Sequence, residues 1–526
     1  MTGSLIQLVA YGMDDLYLTH EPQVTFFKVV YRRHTNFTAE AIPQPFINQP
    51  NFGKKSTCIL SKNADLIGNT YIVVTIPKIQ TINDERTKFA WVKKLGFAMI
   101  KSVEIEINGR IIDRHYGEWL NLWAELTGEL NLEKQIGFKK TIGDIPELTN
   151  FTDSKDEYTL YIPLKFWFCR STANALPIIC LQYSDVKINV EFQDASNCYY
   201  LTPTHYIKCR DDVVNFIPYE YIEQNIDGVM SAGIYINYDI NFKRLYYHKI
   251  TDTKLTSIPV SKDFDTSKSN SVAINSLLSS PQGLKYSIIG KTSGYSTFAE
   301  FNNFTVTQSS TSVRNVNIVE AHLLVTYYYI DEDERYKFLQ SKHDYLIDQL
   351  FFTPNLNIDN INFSGQIIAD HPCKLIVWVT QMQYIYNAKD YFNYTNTYQN
   401  KLFEYENFPV KINSPIGNSI IVNQTITLNG TERVSMRPAL YFDTIQKHMH
   451  MEHSTSPGIN MYSFALYPFT NQPSGSCNMS QFDNVKAQLL LSPIVNINNH
   501  AQFRAYSLCS NILRIVGGLA ATVFTK

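Results

Sequence analysis

The chain has 526 residues, of which 44% are hydrophobic and 18% are charged, and its formal net charge is -2. This balance excludes a mainly disordered chain, and the lack of a basic excess excludes a protein that coats nucleic acid. The length predicts two domains of about 200 residues each, with additional segments. Aromatic residues are chiefly Tyr (34) and Phe (31), which suit half-buried pleated surfaces. Composition therefore predicts an all-β protein made of sandwiches or barrels.

The N-terminal run, residues 8–37, reads LVAYGMDDLYLTHEPQVTFFKVVYRRHTNF. It lacks the charged start and long apolar stretch of a secretory signal, so we expect synthesis in the cytoplasm. Gly12 and the polar turn at His20–Gln23 predict that residues 1–23 form an arm that orders only on assembly. The following aromatic run predicts that Val24–Phe37 is the first strand of the first domain.

Two small basic patches lie near this end of the chain, at Arg32–Arg33 and at Lys54–Lys55. Such patches can bind nucleic acid or anionic lipid. The alternative is pairing with acidic neighbours, within the chain or across a subunit contact, and the near-zero net charge favours it.

Short apolar or alternating runs, separated by turn residues, predict strands along the whole chain. The Asn108–Gly109 pair predicts a hairpin turn, because both residues tolerate positive φ. The predicted strands are Tyr71–Ile76, Ser102–Ile107, Asp185–Phe192, Ile318–Ile330, Leu375–Gln383, Ser419–Leu428 and Asn460–Tyr467.

Two helices interrupt this pattern. Over Glu118–Thr127 the apolar residues recur at helical spacing and form one face. A second helix begins at Asp331, where an acidic first turn suits the positive end of the helix dipole and Glu334 completes a pattern like a capping box. The apolar face of the first helix consists of Trp119, Leu122, Trp123 and Leu126.

The predicted domains follow from these elements. Residues 199–312 form a long insertion in the first domain, rich in Ser, Thr, Asn and Gly from 261 to 311. Without it, two β units of similar size remain, joined by the Asp331 helix. We therefore predict an arm over 1–23, a first unit over 24–342 and a second unit over 343–526.

The cysteines and the apolar C-terminus add two expectations. The eight cysteines are scattered without a C-x-x-C pair, which predicts reduced and mostly buried thiols. The tail Ile512–Phe524 is interrupted by Arg514 and is too short to span a bilayer.

Two motifs suggest chemistry but fit it poorly. Gly290-Lys291-Thr292 resembles the end of a phosphate-binding loop, but position 285 is Lys where that loop needs Gly, so a plain polar loop is favoured. On a strand, His448, His450 and Glu452 would share one face and could hold iron. Ser-Thr-Ser-Pro-Gly follows this run, which favours a surface loop.

Several segments, in order and from end to end, resemble the major capsid proteins of nucleocytoplasmic large DNA viruses. The last of them contains PSGSCNMS, close to a core pattern of that family, with Ser476, Met479 and Gln481 as mild departures. The segments are Leu8–Phe37, Ile111–Thr127, Ile162–Val190, Val325–Leu350, Asn429–Phe442 and Tyr462–Asn484.

The resemblance implies two consecutive eight-stranded jelly rolls with short helices in loops and a helical connector. It implies a structural protein that forms pseudo-hexagonal homotrimers, which tile an icosahedral shell in the virion. Expected partners are the chain itself, neighbouring capsomers and minor capsid proteins beneath the shell, with host surfaces or glycans at the insertion and no direct nucleic acid. Assembly is expected in the host cytoplasm.

The resemblance implies no catalytic residue, cofactor or metal ligand, and points instead to structural positions. Among them, Pro473, Gly475 and Asn478 suit a tight turn, and Cys477 suits a small buried side chain. The positions are Arg32, Arg33, Gly117, Trp119, Trp167, Asp331, Arg335, Pro438, Pro473, Gly475, Cys477 and Asn478.

Two other functions remain as alternatives. A jelly-roll lectin would use exposed aromatic residues of the insertion, such as Tyr286 and Tyr295. A cupin-like metal enzyme would use His448, His450 and Glu452.

Overall fold

A computed structural model gives the architecture of the chain. It describes residues 9–10, 12–13, 19–29, 31–79, 88–130, 135–201, 205–210, 216–217, 220–226, 229–239, 243–249, 287–298, 306–307, 316–396, 417–451, 455–497 and 499–524.

The strands of the first half fall into two groups, those of a first sandwich and those of the insertion. The first group is β1 (Phe37–Pro45), β2 (Lys55–Ile59), β3 (Leu66–Ile76), β4 (Phe89–Trp91), β5 (Ile100–Ile107), β6 (Arg110–His115), β7 (Tyr158–Pro163), β8 (Val186–Phe192) and β9 (Tyr199–Leu201). The insertion contributes β10 (His205–Lys208), β11 (Tyr221–Ile226), β12 (Val229–Asp239), β13 (Arg244–Lys249), β14 (Ile288–Gly290), β15 (Ser296–Thr297) and β16 (Val306–Thr307).

The strands of the second half begin with the one that returns to the first sandwich. They are β17 (Glu320–Ile330), β18 (His343–Ile358), β19 (Asn362–Gln366), β20 (Pro372–Met382), β21 (Ile421–Leu428), β22 (Thr431–Pro438), β23 (Ile459–Ser463), β24 (Cys477–Asn478), β25 (Val485–Leu491), β26 (Ala501–Val516) and β27 (Leu519–Thr522).

Short helices lie between the strands. The α-helices are α1 (Leu95–Ala98), α2 (Gly117–Leu126), α3 (Gln135–Ile142), α4 (Pro146–Thr149), α5 (Glu332–Gln340), α6 (Gln383–Asn387) and α7 (Gln446–His450). A π-helical turn, Tyr441–Ile445, leads into α7, and 3-10 turns occupy Trp167–Cys169, Thr172–Asn174, Ile178–Cys180, Ala195–Asn197 and Met479–Gln481.

The first jelly roll packs the antiparallel sheet β1-β17-β3-β7 against the sheet β2-β8-β5-β6. Alternation along the strands explains the packing: in β5, Val103, Ile105 and Ile107 are fully buried and join one core. β1 pairs along its length with β17, from Phe37 opposite Ile330 to Pro45 opposite His322. The insertion therefore leaves and re-enters a sandwich that its flanking strands close.

The insertion folds around a core of its own. Its strands form an antiparallel sheet in the order β15-β14-β11-β12-β13-β10-β16. Ile207, Ile222, Leu245 and Ile288 are fully buried in that core. Most of the predicted polar stretch 261–311 lies outside the described residues.

The second jelly roll packs the sheet β18-β26-β20-β23, to which β24 and β27 add, against the sheet β19-β25-β21-β22. The sequence of β20 is almost continuously apolar, because both faces of this strand are buried. Ile376 and Trp378 point into the jelly-roll core, whereas Leu375 and Val377 belong to a separate cluster on the other face. A strand that is buried on both faces carries apolar residues at both parities.

The two jelly rolls also share elements of their cores. Ile347 of β18 and Leu513 and Ile515 of β26 lie in the core cluster of the first jelly roll, together with Ala520 of β27. β18 and β26 pair over most of their 16-residue lengths. These long strands therefore extend from one jelly roll into the core of the other.

The predicted all-β class is confirmed, and so are most of the predicted strands. Asn108 and Gly109 form the predicted turn, with φ of 52° and 75°. The strand predicted over Asn460–Tyr467 ends earlier, at Ser463, because bends and turns follow it.

The strand predicted over Val24–Phe37 is wrong in position. Its described residues before Phe37 form no strand and are exposed, and the first strand is β1. The physical reason is register: β17 ends at Ile330 opposite Phe37, so its edge offers no hydrogen-bond partners upstream. Among the helices of the described residues, none is both long and apolar enough to cross a membrane.

Candidate assembly site

The junction between the two jelly rolls is built on α2. Its Trp119, Leu122 and Leu126 are fully buried in one cluster with β20 residues of the second jelly roll. Trp119 stacks obliquely on Tyr506 of β26, with ring centroids 5.5 Å apart. The predicted apolar face of this helix therefore joins two domains instead of filling one core. Burial on this scale contributes roughly 1.5–3 kcal/mol for each large side chain.

Gly117 allows α2 to approach the first jelly roll closely. A Cβ at this position would lie 2.1 Å from the carbonyl oxygen of Phe97 and 2.5 Å from that of Ile100. Both obstacles are backbone atoms, which cannot move aside as a side chain can. The site therefore requires glycine.

A largely buried carboxylate at the start of α2, with its side chain 15% exposed, links the two jelly rolls. Glu118 accepts hydrogen bonds from Arg504 Nε and Nη2, each at 2.7 Å, and from the Tyr506 hydroxyl at 2.6 Å. The Tyr394 hydroxyl adds a bond of 3.1 Å, and Arg504 Nη2 also donates to Gln381 Oε1 at 2.6 Å. A paired carboxylate and guanidinium with these extra bonds satisfy the groups that burial removes from water.

The electrostatics of this group follow from burial and pairing. Burial lowers the pKa of Arg504, but Glu118 outweighs burial and raises that pKa above its ordinary range. Burial and the neighbouring Glu118 charge raise the pKa of the Tyr506 and Tyr394 hydroxyls well above the usual value, so both act as donors. Glu118 and Arg504 therefore form an ion pair that links the two jelly rolls.

A second charged group bridges the junction around Asp348 of β18. Arg170 Nη1 donates to Asp348 Oδ2 at 2.9 Å, and Lys374 of β20 lies 2.6 Å from Asp348 Oδ1. The guanidinium of Arg170 also lies 3.8 Å from the ring centroid of Trp123 on α2. Burial lowers the pKa of Arg170 and outweighs Asp348, which raises it, so the net shift is downward. One residue of the first jelly roll thus contacts both α2 and the second jelly roll.

Two further carboxylates, Asp113 and Glu125, complete the junction. The Leu350 backbone N–H donates to Asp113 Oδ1 at 2.9 Å, and Gln349 donates to the Ile112 carbonyl at 2.6 Å. Glu125 of α2 accepts from Lys94 at 3.0 Å and from the Ser456 hydroxyl at 3.1 Å. Ser456 belongs to the second jelly roll, so Glu125 also links the two halves.

The connector is fixed at its first turn. Asp331 caps α5 by accepting from the Glu332 N–H at 3.0 Å, and Arg335 binds Asp65 through Nε and Nη2, each at 2.7 Å. Asp65 is almost fully buried and also accepts from the Ile330 N–H at 3.0 Å. Arg335 thus anchors α5 to the first jelly roll, and Asp331 caps its first turn.

The PSGSCN segment differs from its prediction. Pro473 and Gly475 lie in an extended stretch without a tight turn. Gly475 has φ of 131°, and a Cβ there would lie 2.9 Å from the Phe464 carbonyl oxygen, so a close backbone approach explains this glycine. Cys477 is half-buried, because the short β24 that carries it lies at the end of β20. Asn478 accepts from the Ser480 N–H at 3.1 Å and caps a 3-10 turn.

Two of the other predicted positions and one residue of the basic patches are placed clearly. Trp167 is buried in the core of the first jelly roll, where it meets Phe168 edge-on. Pro438 is the exposed last residue of β22. Lys55 pairs with Glu104 at 2.9 Å, as the acidic-neighbour interpretation predicts.

The two remaining positions, Arg32 and Arg33, lie in an exposed segment. Within the described part of the chain neither has an ion-pair partner. We call Val24–His34 the basic-aromatic segment. Its Phe26 and Phe27 are 96% and 99% exposed. Exposed apolar side chains that lie together mark a candidate interaction surface.

The phosphate-loop motif has a different use in the structure. The backbone N–H groups of Thr292 and Ser293 donate to the Glu220 carboxylate, at 3.0 and 2.8 Å. Lys291 pairs with Glu223. The chain's own carboxylates therefore occupy the positions that a phosphate would need.

The alternative sites are not assembled by the described residues. His448 and His450 lie on α7 and not on a strand, so a spacing of two residues turns them to different sides. Glu452 lies outside the described residues, and no cluster that could hold a metal occurs in the part of the chain that is described. Tyr286 also lies outside it, and Tyr295 is half-buried against Phe216 instead of exposed.

Sequence reasoning found α2 and its apolar face but missed the ionic partners at the junction. Glu118 and Arg504 are 386 residues apart, and Arg170 and Asp348 are 178 apart. Separations of this size follow no local period. The only signal in the sequence is a charged residue beside an apolar helix face.

Comparison with known proteins identifies the same family in both halves. Residues 25–239 match the family described as major capsid protein N-terminus, and residues 334–521 match the large eukaryotic DNA virus major capsid protein. Probable capsid protein 4 of Acanthamoeba polyphaga mimivirus is 36% identical over 532 residues, covering 99% of each chain. The major capsid protein of Phaeocystis pouchetii virus is 30% identical over 622 residues, covering 100% of each.

Solved structures show the same fold. A chain of the PBCV-1 virus capsid model has a TM-score of 0.61 at 21% identity, covering 95% of this chain and 100% of that one. The Faustovirus major capsid protein has a TM-score of 0.62 at 12% identity, covering 98% of this chain and 96% of that one.

Proposed function

The chain belongs to the family of large eukaryotic DNA virus major capsid proteins, and from this premise we propose that three copies close into one capsomer. The protein is a structural component of the virion that self-associates in the capsid shell. Two jelly rolls per chain give a trimer of pseudo-hexagonal outline, which can tile an icosahedral surface.

The junction is the observation that carries this proposal. The buried apolar face of α2 and the Glu118–Arg504 ion pair hold the two jelly rolls in one fixed relative orientation. A fixed relation is what a closed ring requires, because the angle between neighbouring copies must repeat without error. The division of the chain at residues 342 and 343 stays a prediction, supported by α5 and by the start of β18 at His343.

Light scattering of the purified protein tests the trimer. Three times 60.5 kDa gives an expected mass of 181.5 kDa. A stable monomer at micromolar concentration would overturn the proposal. An electron micrograph of the same material should show hexagonal particles.

The finer assignments belong to this proposal. The insertion sheet has its own core, which supports an outward position where its loops contact host surfaces or glycans. Minor capsid proteins would bind on the opposite side of the shell, and assembly would take place in the host cytoplasm. We expect neither catalysis nor direct nucleic-acid binding. A glycan array probed with intact trimers tests this role of the insertion. If no glycan binds, the insertion does not recognise glycans.

A further inference from the structure

We propose that the basic-aromatic segment of one chain binds the connector helix α5 of the next chain in the trimer. The inference rests on the proposed trimer and names the contact that closes it. It is drawn from two exposed surfaces that carry opposite charges and that both present apolar side chains.

The basic-aromatic segment has the composition of a buried strand but lies in solvent. Five apolar side chains lie along it, with a turn at Phe26–Phe27; they are Val24, Phe26, Phe27, Val29 and Tyr31. These five side chains are between 72% and 99% exposed.

Helix α5 is the matching surface. None of its residues is buried, and Tyr336 and Leu339 are 55% and 42% exposed. Its first turn carries Glu332, Asp333 and Glu334, which have no ion-pair partner within the described residues. An acidic turn beside exposed apolar side chains complements a segment in which Lys28, Arg32 and Arg33 flank the aromatic residues.

The anchoring of α5 makes it a prepared site. Arg335 binds the buried Asp65, and Asp331 caps the first turn. The backbone of the acidic first turn is therefore held in place before any partner arrives, which lowers the entropy cost of binding.

A second copy fits better than the same chain. Strand pairing of Phe37 with Ile330 brings the end of the segment close to its own α5, yet the segment remains exposed. The chain alone therefore leaves both surfaces open. A ring of copies, each presenting one segment and one helix, satisfies every such pair.

Cysteine cross-linking between two variants provides the test. Arg33→Cys and Glu334→Cys are made in separate chains, assembled together as trimers and treated with a mild disulfide-forming oxidant. A covalent dimer that appears only in the mixture supports the proposal. The parent chain controls for the native cysteines, and a mixture of Arg110→Cys with Glu334→Cys controls for proximity, since Arg110 is exposed on a different sheet.

The remaining outcomes separate the alternatives. A disulfide within one chain of the doubly substituted protein, without a mixed dimer, would show that the segment binds its own helix. If phosphatidylserine vesicles protect the introduced thiol of the Arg33→Cys variant from a thiol reagent and trimer formation does not, a membrane is the occupant. If the parent chain is monomeric, the proposed trimer itself fails. If it is trimeric and no cross-link forms, only this contact fails.

Charge reversal gives an independent measurement. Replacing both Arg32 and Arg33 by Glu should weaken trimer association at least about tenfold, because like charges then face each other. Replacement of both by Lys keeps the charge and should restore most of it. Equal association of the Glu and parent proteins would overturn the proposal.

Discussion

The junction and the basic-aromatic segment use similar residues in opposite ways. At the junction, Arg504 and Trp119 are buried and paired with residues of the same chain. In the segment, Arg33 and Phe27 are exposed, and within the described residues no partner covers them. The difference shows which contacts one chain completes by folding and which it leaves for assembly. Four measurements test this division, in descending order of their expected effect on stability.

Replacing Arg504 by Met should give the largest loss. It leaves the buried Glu118 without its cation, and breaking a buried pair on one side costs about 3–5 kcal/mol. The midpoint of denaturant unfolding measures the loss. Arg514→Met on the same strand is the matched control, because its pair with Asp344 is exposed and screened by solvent, so its loss should change stability little. Equal losses from both variants would show that the junction carries no special share of stability.

Replacing Gly117 by Ala should cost about 1–3 kcal/mol or more, since the new Cβ collides with backbone oxygens of Phe97 and Ile100. Thermal unfolding measures the effect. Gly137→Ala on α3 is the control, because its added Cβ meets open space and favours the helix by up to about 1 kcal/mol. A Gly117→Ala protein as stable as the control would mean that α2 can shift without loss.

Acidification should weaken the junction through Glu125. Burial raises the pKa of this carboxyl, but Lys94 and Ser456 outweigh burial and lower it from the ordinary 4.5. A depressed folded pKa stabilises the fold above 4.5, and that stabilisation is lost as pH falls through the folded value. Thermal midpoints measured from neutral pH to below 4.5 should fall less for Glu125→Gln than for the parent.

Glu157→Gln, at an exposed position, is the control for this acid effect and should follow the parent. If Glu125→Gln also follows the parent throughout, Glu125 does not link the two jelly rolls in the way its contacts indicate.

Deleting residues 1–36 should have the smallest effect on stability and the largest on assembly. The first strand begins at Phe37, so the free energy of unfolding should change by less than about 1 kcal/mol, and the thermal midpoint should stay close to that of the parent. The trimer should be lost, because the basic-aromatic segment is gone. Deleting only residues 1–22 keeps the segment, and we expect a trimer that forms shells poorly. Unfolding of either truncated protein would place these residues in the core.

The sequence predicts those features that depend on local period. Strand alternation in β5 and the helical spacing of Trp119 and Leu122 follow from one buried face, and both are found in the structure. The basic-aromatic segment shows the limit of this reasoning. Its apolar composition predicts a strand over Val24–Phe37, but composition does not say whether the chain itself supplies a pairing edge. Only the register of β1 on β17 shows that the chain's own sheet ends at Phe37.

The ion pairs at the junction could not be predicted for a related reason. Glu118 meets Arg504, and Arg170 meets Asp348, only because two separate sandwiches come together. The same holds for the phosphate-loop motif, whose backbone N–H groups donate to Glu220, the residue before β11. Such pairs depend on tertiary contact, which no spacing within one segment encodes.

The long strands β18 and β26 have a consequence for how the protein responds to force. Because Ile347, Leu513 and Ile515 on these strands lie in the core of the first jelly roll, the boundary between the halves contains no hinge. Bending there would require core side chains to leave their packing, which close-packed interiors resist. We therefore expect the two jelly rolls to move as one rigid body, so that curvature of a shell arises at the contacts between chains.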